Sequence, residues 1–145
     1  MSATIDTLQG IKTAWAAATS LNAAIPAASR LSVDDLKGGS TLPYCKVMVV
    51  REQAPEYQSP RLTGQSYQDW RRATFTVYDS TLEATDTSVD LILTAFASGC
   101  TIPNASLLDW SLAEETDAKF ADDIRGTPVY MASVEYVVHT ERLVP

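Results

Sequence analysis

The feature that most constrains the fold is an alternating apolar segment near the C-terminus, residues 129–140. Alternation with a period of two predicts a β-strand with one covered face. At about 3.3 Å per residue such a strand is roughly 40 Å long, and a globule of this chain length also has a diameter of roughly 40 Å. The strand must therefore span the whole body. Its covered face is formed by Tyr130, Ala132, Val134, Tyr136 and Val138.

Two segments show the three-and-four spacing of amphipathic helices. The first covers residues 4–21 and cannot continue past Pro26. The second covers residues 81–97, begins at the capping-box sequence Ser80-Thr81-Leu82-Glu83 and stops at Gly99. Each helix has one apolar stripe, so each must pack against another element.

Three further segments, residues 44–50, 70–78 and 108–112, predict strands from their β-branched content and alternation. The connection over residues 53–69 is long for a hairpin loop, which indicates that it has a function. The order of elements predicts an α+β fold, in which a largely antiparallel four-stranded sheet carries two amphipathic helices packed on one face. A chain of 145 residues is expected to form a single domain, residues 1–145.

The charge balance argues against a protein that coats nucleic acid. There are 18 acidic and 11 basic side chains, a formal charge of −7, whereas phosphate-binding domains usually carry a basic excess. No segment is apolar over 18 residues, and the first residues lack the pattern of a signal peptide. We therefore expect a protein that is made in the cytoplasm and does not associate with a membrane. The two cysteines, Cys45 and Cys100, are expected to be free thiols.

No motif in the sequence predicts catalysis. The single histidine, His139, lies near the end of the last strand, and the phosphate-loop, nucleophile-elbow and His-Glu-x-x-His patterns are absent. Five carboxylates fall within residues 114–123, but without the spacing of a calcium loop, so a solvated acidic turn is the preferred interpretation. We therefore predict no catalytic residue, no cofactor and no metal site.

A concentration of arginine and aromatic side chains predicts a protein interface. Trp, Tyr and Arg are the residues that protein interfaces select, and three arginines are too few for nucleic acid on an acidic chain. This surface is expected to contact another protein. It consists of Tyr57, Arg61, Tyr67, Trp70, Arg71 and Arg72.

The whole chain resembles the tail-terminator, or tail-completion, proteins of long-tailed bacteriophages, the family that includes minor tail protein U. The resemblance is carried by the opening helix, by Leu42-Pro43-Tyr44 before a valine-rich strand, and by the long loop before Phe75-Thr76-Val77-Tyr78-Asp79. It continues in the capped helix and in the closing segment Tyr136-Val137-Val138-His139-Thr140.

The resemblance implies a non-enzymatic virion assembly protein. Such a protein forms a ring, expected to be a hexamer, which caps the tail tube and joins the tail to the head connector. Its partners are further copies of itself, the tail tube protein and a neck protein, and DNA passes through without specific binding. It is assembled in the host cytoplasm and ends in the virion, at the head-proximal end of the tail.

Three alternatives remain open at the level of sequence. The nearest is a head-completion or connector protein of the same virion, which has similar size and also lacks reaction chemistry. A small-ligand enzyme on an α+β cone needs His139 or Asp109 deep in an apolar pocket. A cellular adaptor domain is the third.

Overall fold

The computed structural model describes residues 3–37, 40–57 and 66–143, and within them it contains four helices and six strands. The helices are α1 (Ala3–Ala17), α2 (Thr19–Ala24), α3 (Ala27–Arg30) and α4 (Leu82–Ala95). The strands are β1 (Leu31–Ser32), β2 (Tyr44–Tyr57), β3 (Ser66–Asp79), β4 (Ala105–Glu115), β5 (Lys119–Ile124) and β6 (Thr127–Leu143).

The strands form one sheet in the order β1-β2-β3-β6-β4, with β5 also paired to β6. Strand β6 is 17 residues long and pairs along one side with the whole of β3. On its other side β6 pairs with β4 and β5, which lie end to end. Every pair is antiparallel except β1 with β2. The long alternating segment is thus an interior strand of the sheet, paired on both sides.

The prediction of four strands and two helices was wrong, although the largely antiparallel α+β class stands. Strand β1 has two residues, too few to leave an alternating pattern in the sequence. Strand β5 arises where we expected an acidic turn. Arg125 and Gly126 both have positive φ, 54° and 80°, which closes a tight hairpin of the type that suits antiparallel strands and pairs β5 with β6.

The predicted first helix is divided into two by Ala18, which has extended backbone angles (φ −83°, ψ 94°). The break turns α2 back, so that Leu21 and Ile25 reach the core. It also brings the Ile25 carbonyl to the Trp15 indole, whose Nε1 donates a hydrogen bond of 2.8 Å. This satisfies a buried donor that an uninterrupted helix would leave without a partner.

The predicted second helix forms, and the Thr81 hydroxyl caps it by accepting a hydrogen bond of 3.1 Å from the amide of Ala84. The predicted long loop, by contrast, is mostly strand. Strands β2 and β3 continue to residue 57 and from residue 66, so they form a long hairpin, and residues 58–65 lie outside the described residues. Two register shifts accommodate this extension around Pro55.

The helices cover one face of the sheet, and an aromatic cluster fills the space between the layers. Phe75 lies at its centre, with ring centroids 5.9 Å from Trp15, 5.1 Å from Phe96 and 6.1 Å from Tyr136. Trp110 of β4 extends the cluster at 5.0 Å from Tyr136. Rings of this size supply much of the apolar burial of a small domain, so this cluster fixes the helices on the sheet.

Candidate functional site

The sheet face opposite the helices carries a mixed set of side chains, and we call it the open face. The strand register and the burial alternation define its members. Met48 and Val50 are 45% and 42% exposed on it. Further members are Lys46, Arg72, Thr74, Thr76, Met131 and Val137.

Arg72 is held at the centre of the open face by two carboxylates. Its Nε and Nη2 donate to Glu52 at 2.8 and 2.7 Å, and its Nη1 donates to Glu135 at 2.7 Å. The hydrogen bond from Arg72 lowers the pKa of Glu52, and the hydrogen bonds to both carboxylates raise the pKa of Arg72. The guanidinium is therefore fixed in orientation, and its charge is balanced within the subunit.

Trp70 and His139 form a stacked pair beside Arg72 on the same face. Their ring centroids are 4.3 Å apart and their planes differ by 11°. His139 Nε2 donates a hydrogen bond of 2.9 Å to Gln68 Oε1. Asp109 lies across from His139 on β4, is exposed, and accepts a hydrogen bond from Ser111. The histidine thus belongs to a surface stack, and three cavities of about 330 to 400 Å³ among the described residues are lined by neither His139 nor Asp109.

The other predicted interface residues are distributed along the β2–β3 hairpin. Tyr57 ends β2 and pairs in register with Tyr67 of β3. Tyr67 in turn forms a hydrogen bond with Arg142 of the neighbouring strand. Arg61 lies outside the described residues. Trp70 and Arg72 therefore share the open face, whereas Tyr67 contacts the opposite face.

Arg71 points toward the helices and is 8% exposed. Its Nε donates to Asp69 at 2.9 Å, and its Nη1 donates to the Thr4 hydroxyl at 3.0 Å. Strand alternation explains this placement, because neighbouring residues point to opposite faces. In the folded subunit Arg71 ties the start of α1 to the sheet.

A second buried ion pair lies nearby and was not predicted. Arg142 of β6 donates a hydrogen bond to Asp6 of α1, and these residues are 6% and 0% exposed. Burial opposes the guanidinium charge, but the hydrogen bonds to Asp6 and Tyr67 raise the pKa of Arg142. The sequence held a signal, because Arg142 falls on the core-facing positions of the alternating strand, where a charge requires a partner.

The acidic stretch does not form a metal-binding cluster in the described structure. No group of three or more His, Cys, Asp and Glu side chains is close enough to hold an ion within residues 3–37, 40–57 and 66–143. Both cysteines are free thiols, as predicted; Cys45 is buried and Cys100 is half-buried. The described helices include none long and apolar enough to span a membrane.

Comparison with known proteins identifies a shared fold. No family model matches the chain, and no curated protein matches it. Among solved structures, the chain is similar to a chain of the "Virion of native gene transfer agent (GTA) particle", with a TM-score of 0.55 and 10% sequence identity. The match covers 93% of this chain and 97% of the other. This chain therefore has the fold of a chain that occurs in a virion.

Proposed function

We propose that this chain is a virion assembly protein of the tail-terminator type, which caps a finished tail tube as a ring and joins the tail to the head connector. The observation that carries the proposal is the fold shared with a virion chain over nearly the full length of both. The resemblance to tail terminators adds the specific role. Most of the segments that carry it coincide with α1, the start of β2, the end of β3, α4 and β6, whereas the described part of the long loop is strand.

The open face suits contact with another protein. A tryptophan, an oriented arginine and two exposed aliphatic side chains lie together on a rigid sheet, and such residues form the centres of protein interfaces. We assign this face to contact with the tail tube or a neighbouring subunit. The residues of the open face assigned to this contact are Trp70 and Arg72 with Met48 and Val50. We extend the proposed contact to Tyr57, Arg61 and Tyr67, and Arg71 supports the face from the core side.

The test is inactivation of the gene in the particle that encodes it, followed by electron microscopy. We expect heads without tails and tubes that lack a defined head-proximal end, because no cap stops the tube or joins it. A neck protein gives a different result, namely tails of normal length and ends that fail to attach. Particles of normal form and number contradict a role in virion assembly.

Complementation then tests the assigned surface. Trp70→Ala combined with Arg72→Gln is expected to reduce joined particles at least tenfold, because it removes the aromatic and cationic centre of the face. Arg125→Gln is the matched control, since it removes an exposed arginine from the β5–β6 turn. Equal joining by both variants, with both folded by circular dichroism, contradicts the assignment.

A further inference from the structure

The net negative charge of the chain comes from one part of the sequence. Residues 73–118 contain eight acidic side chains and no lysine or arginine, while the rest of the chain has 10 acidic and 11 basic ones. The eight are Asp79, Glu83, Asp86, Asp90, Asp109, Glu114, Glu115 and Asp117. They belong to α4, to β4 and to the ends of neighbouring elements.

The fold places this acidic segment at one side of the molecule. Helix α4 packs on β6 and β3, and β4 is the edge strand beyond β6. Glu83, Asp86 and Asp90 point outward from α4, and Glu114 and Glu115 are exposed at the end of β4. None of these five makes an ion pair with the described residues. We call this side the acidic side.

The opposite side of the molecule carries free cations. Helix α1 packs on β2, and α3 packs on β1 at the other edge of the sheet. Arg30, Lys37 and Arg51 lie on α3, on the segment joining β1 to β2 and on β2, and in the described chain none of the three forms an ion pair. They outnumber the one exposed carboxylate without an ion pair in the same described segment, Asp34. We call this the basic side. A single subunit therefore presents complementary charge on two opposite sides.

Each side also has a free strand edge. Strand β1 pairs only with Cys45 and Lys46 of β2, so within the described structure residues 47–57 of β2 have no outer neighbour. Strand β4, 11 residues long, pairs with β6 alone among the described strands. An unpaired edge offers backbone donors and acceptors to another strand. The two edges run in opposite directions, because three antiparallel pairings separate β2 from β4.

We propose that β2 of one copy pairs with β4 of the next copy, so that the sheet continues from subunit to subunit and the basic side meets the acidic side. Copies placed side by side in the same orientation bring these edges together antiparallel. The contact is heterologous, as a closed ring requires. This inference rests on the proposed ring, and it specifies which surfaces form it.

Cross-linking of variants with one exposed cysteine tests the contact; the remaining native cysteine, Cys45, is buried. Val50 pairs in register with Arg72, Arg72 with Val137, and Val137 with Ser111. Within a subunit, Val50 and Ser111 are therefore three strand spacings of about 4.8 Å apart on the open face. Val50→Cys and Ser111→Cys proteins, each in a Cys100→Ser background, are treated with a short bismaleimide. We expect covalent dimers when the two proteins are mixed, and none from either alone.

The set of cross-linked dimers that forms distinguishes a heterologous contact from a two-fold contact. Dimers from Val50→Cys alone, or from Ser111→Cys alone, indicate a two-fold contact and overturn the proposal. A protein that remains monomeric by light scattering at all concentrations also overturns it. If the mixed cross-link forms but gene inactivation leaves virions unchanged, the tail role fails while the edge contact stands.

Charge reversal tests the electrostatic part. Arg51→Glu is expected to raise the concentration for half-assembly about fivefold to tenfold at low salt, and less at 1 M salt, where surface charges are screened. Adding Glu114→Lys to the same chain is expected to recover part of the loss. Lys119→Glu is the matched control, since it reverses a cation next to the acidic segment, and equal weakening by both reversals contradicts charge pairing between the two sides.

Discussion

The ion pair between Asp6 and Arg142 gives the sharpest prediction about stability. It joins the first turn of α1 to the end of β6, and both side chains are buried. Arg142→Met removes the guanidinium and leaves the carboxylate with only the Asn104 amide, at 3.5 Å. Removing one partner of a buried pair costs about 3–5 kcal/mol, a large part of a total stability of about 5–15 kcal/mol.

Urea unfolding, followed by circular dichroism and by tryptophan fluorescence, measures this cost. With an m-value of about 2 kcal/mol/M, Arg142→Met is expected to lower the midpoint by about 1.5–2.5 M. Arg72→Met is the matched control, because its ion pairs are partly exposed, and its midpoint is expected to stay close to wild type.

A double variant distinguishes the stability lost with the ion pair from the cost of leaving the buried Asp6 carboxylate without its partner. Asp6→Leu combined with Arg142→Met leaves no unpaired charge at this site, so it is expected to regain most of the stability. The reasoning is refuted if Arg142→Met lies within about 0.5 M of wild type. It is also refuted if the double variant is less stable than the single one, since the cost then comes from packing.

Two further predictions concern close packing and alkaline pH. Gly10→Ala places a Cβ 2.5 Å from the Thr101 carbonyl oxygen. Although alanine favours helices, this close contact is expected to lower the free energy of unfolding by about 1–3 kcal/mol and the melting temperature by several degrees. An unchanged melting temperature contradicts the contact. Burial raises the pKa of the Cys100 thiol in the folded protein to about 11, whereas an unfolded thiol has a pKa of about 8.5. Wild type is therefore expected to lose stability relative to Cys100→Ala as the pH rises from about 8.5 toward 11. Below that window the difference between the two proteins is constant, and parallel stability curves up to pH 10.5 contradict the expected thiol burial.

The long, regular elements could be predicted because one physical rule governs each of them. Alternation fixed the faces of β3 and β6, and the Thr81 cap marked the start of α4. The extensions of β2 and β3 were missed because Pro55 and the polar residues around it are typical of loops. They are strand here because each pairs with a long neighbour, which is a non-local effect.

The interface prediction grouped residues that are neighbours in sequence, but in a strand neighbouring side chains point to opposite faces of the sheet. Trp70 and Arg72 share the open face, but Arg71 lies behind them in a buried ion pair. Ile5 and Asp6 show the converse in α1, where the apolar Ile5 is 56% exposed while the charged Asp6 is buried. The partner of Asp6 is 136 residues away, so no local pattern could predict its burial.

The position of β6 determines when the protein can fold. It is synthesised after the other five described strands, yet it lies between β3 and β4 and, within the described structure, supplies the pairing of both β4 and β5. Until β6 is synthesised, the nascent chain holds a β2–β3 hairpin whose inner edge is open and a β4 segment with no sheet to join. Most of the sheet therefore forms only after β6 has been made, and the subunit acquires its two complementary sides at that step.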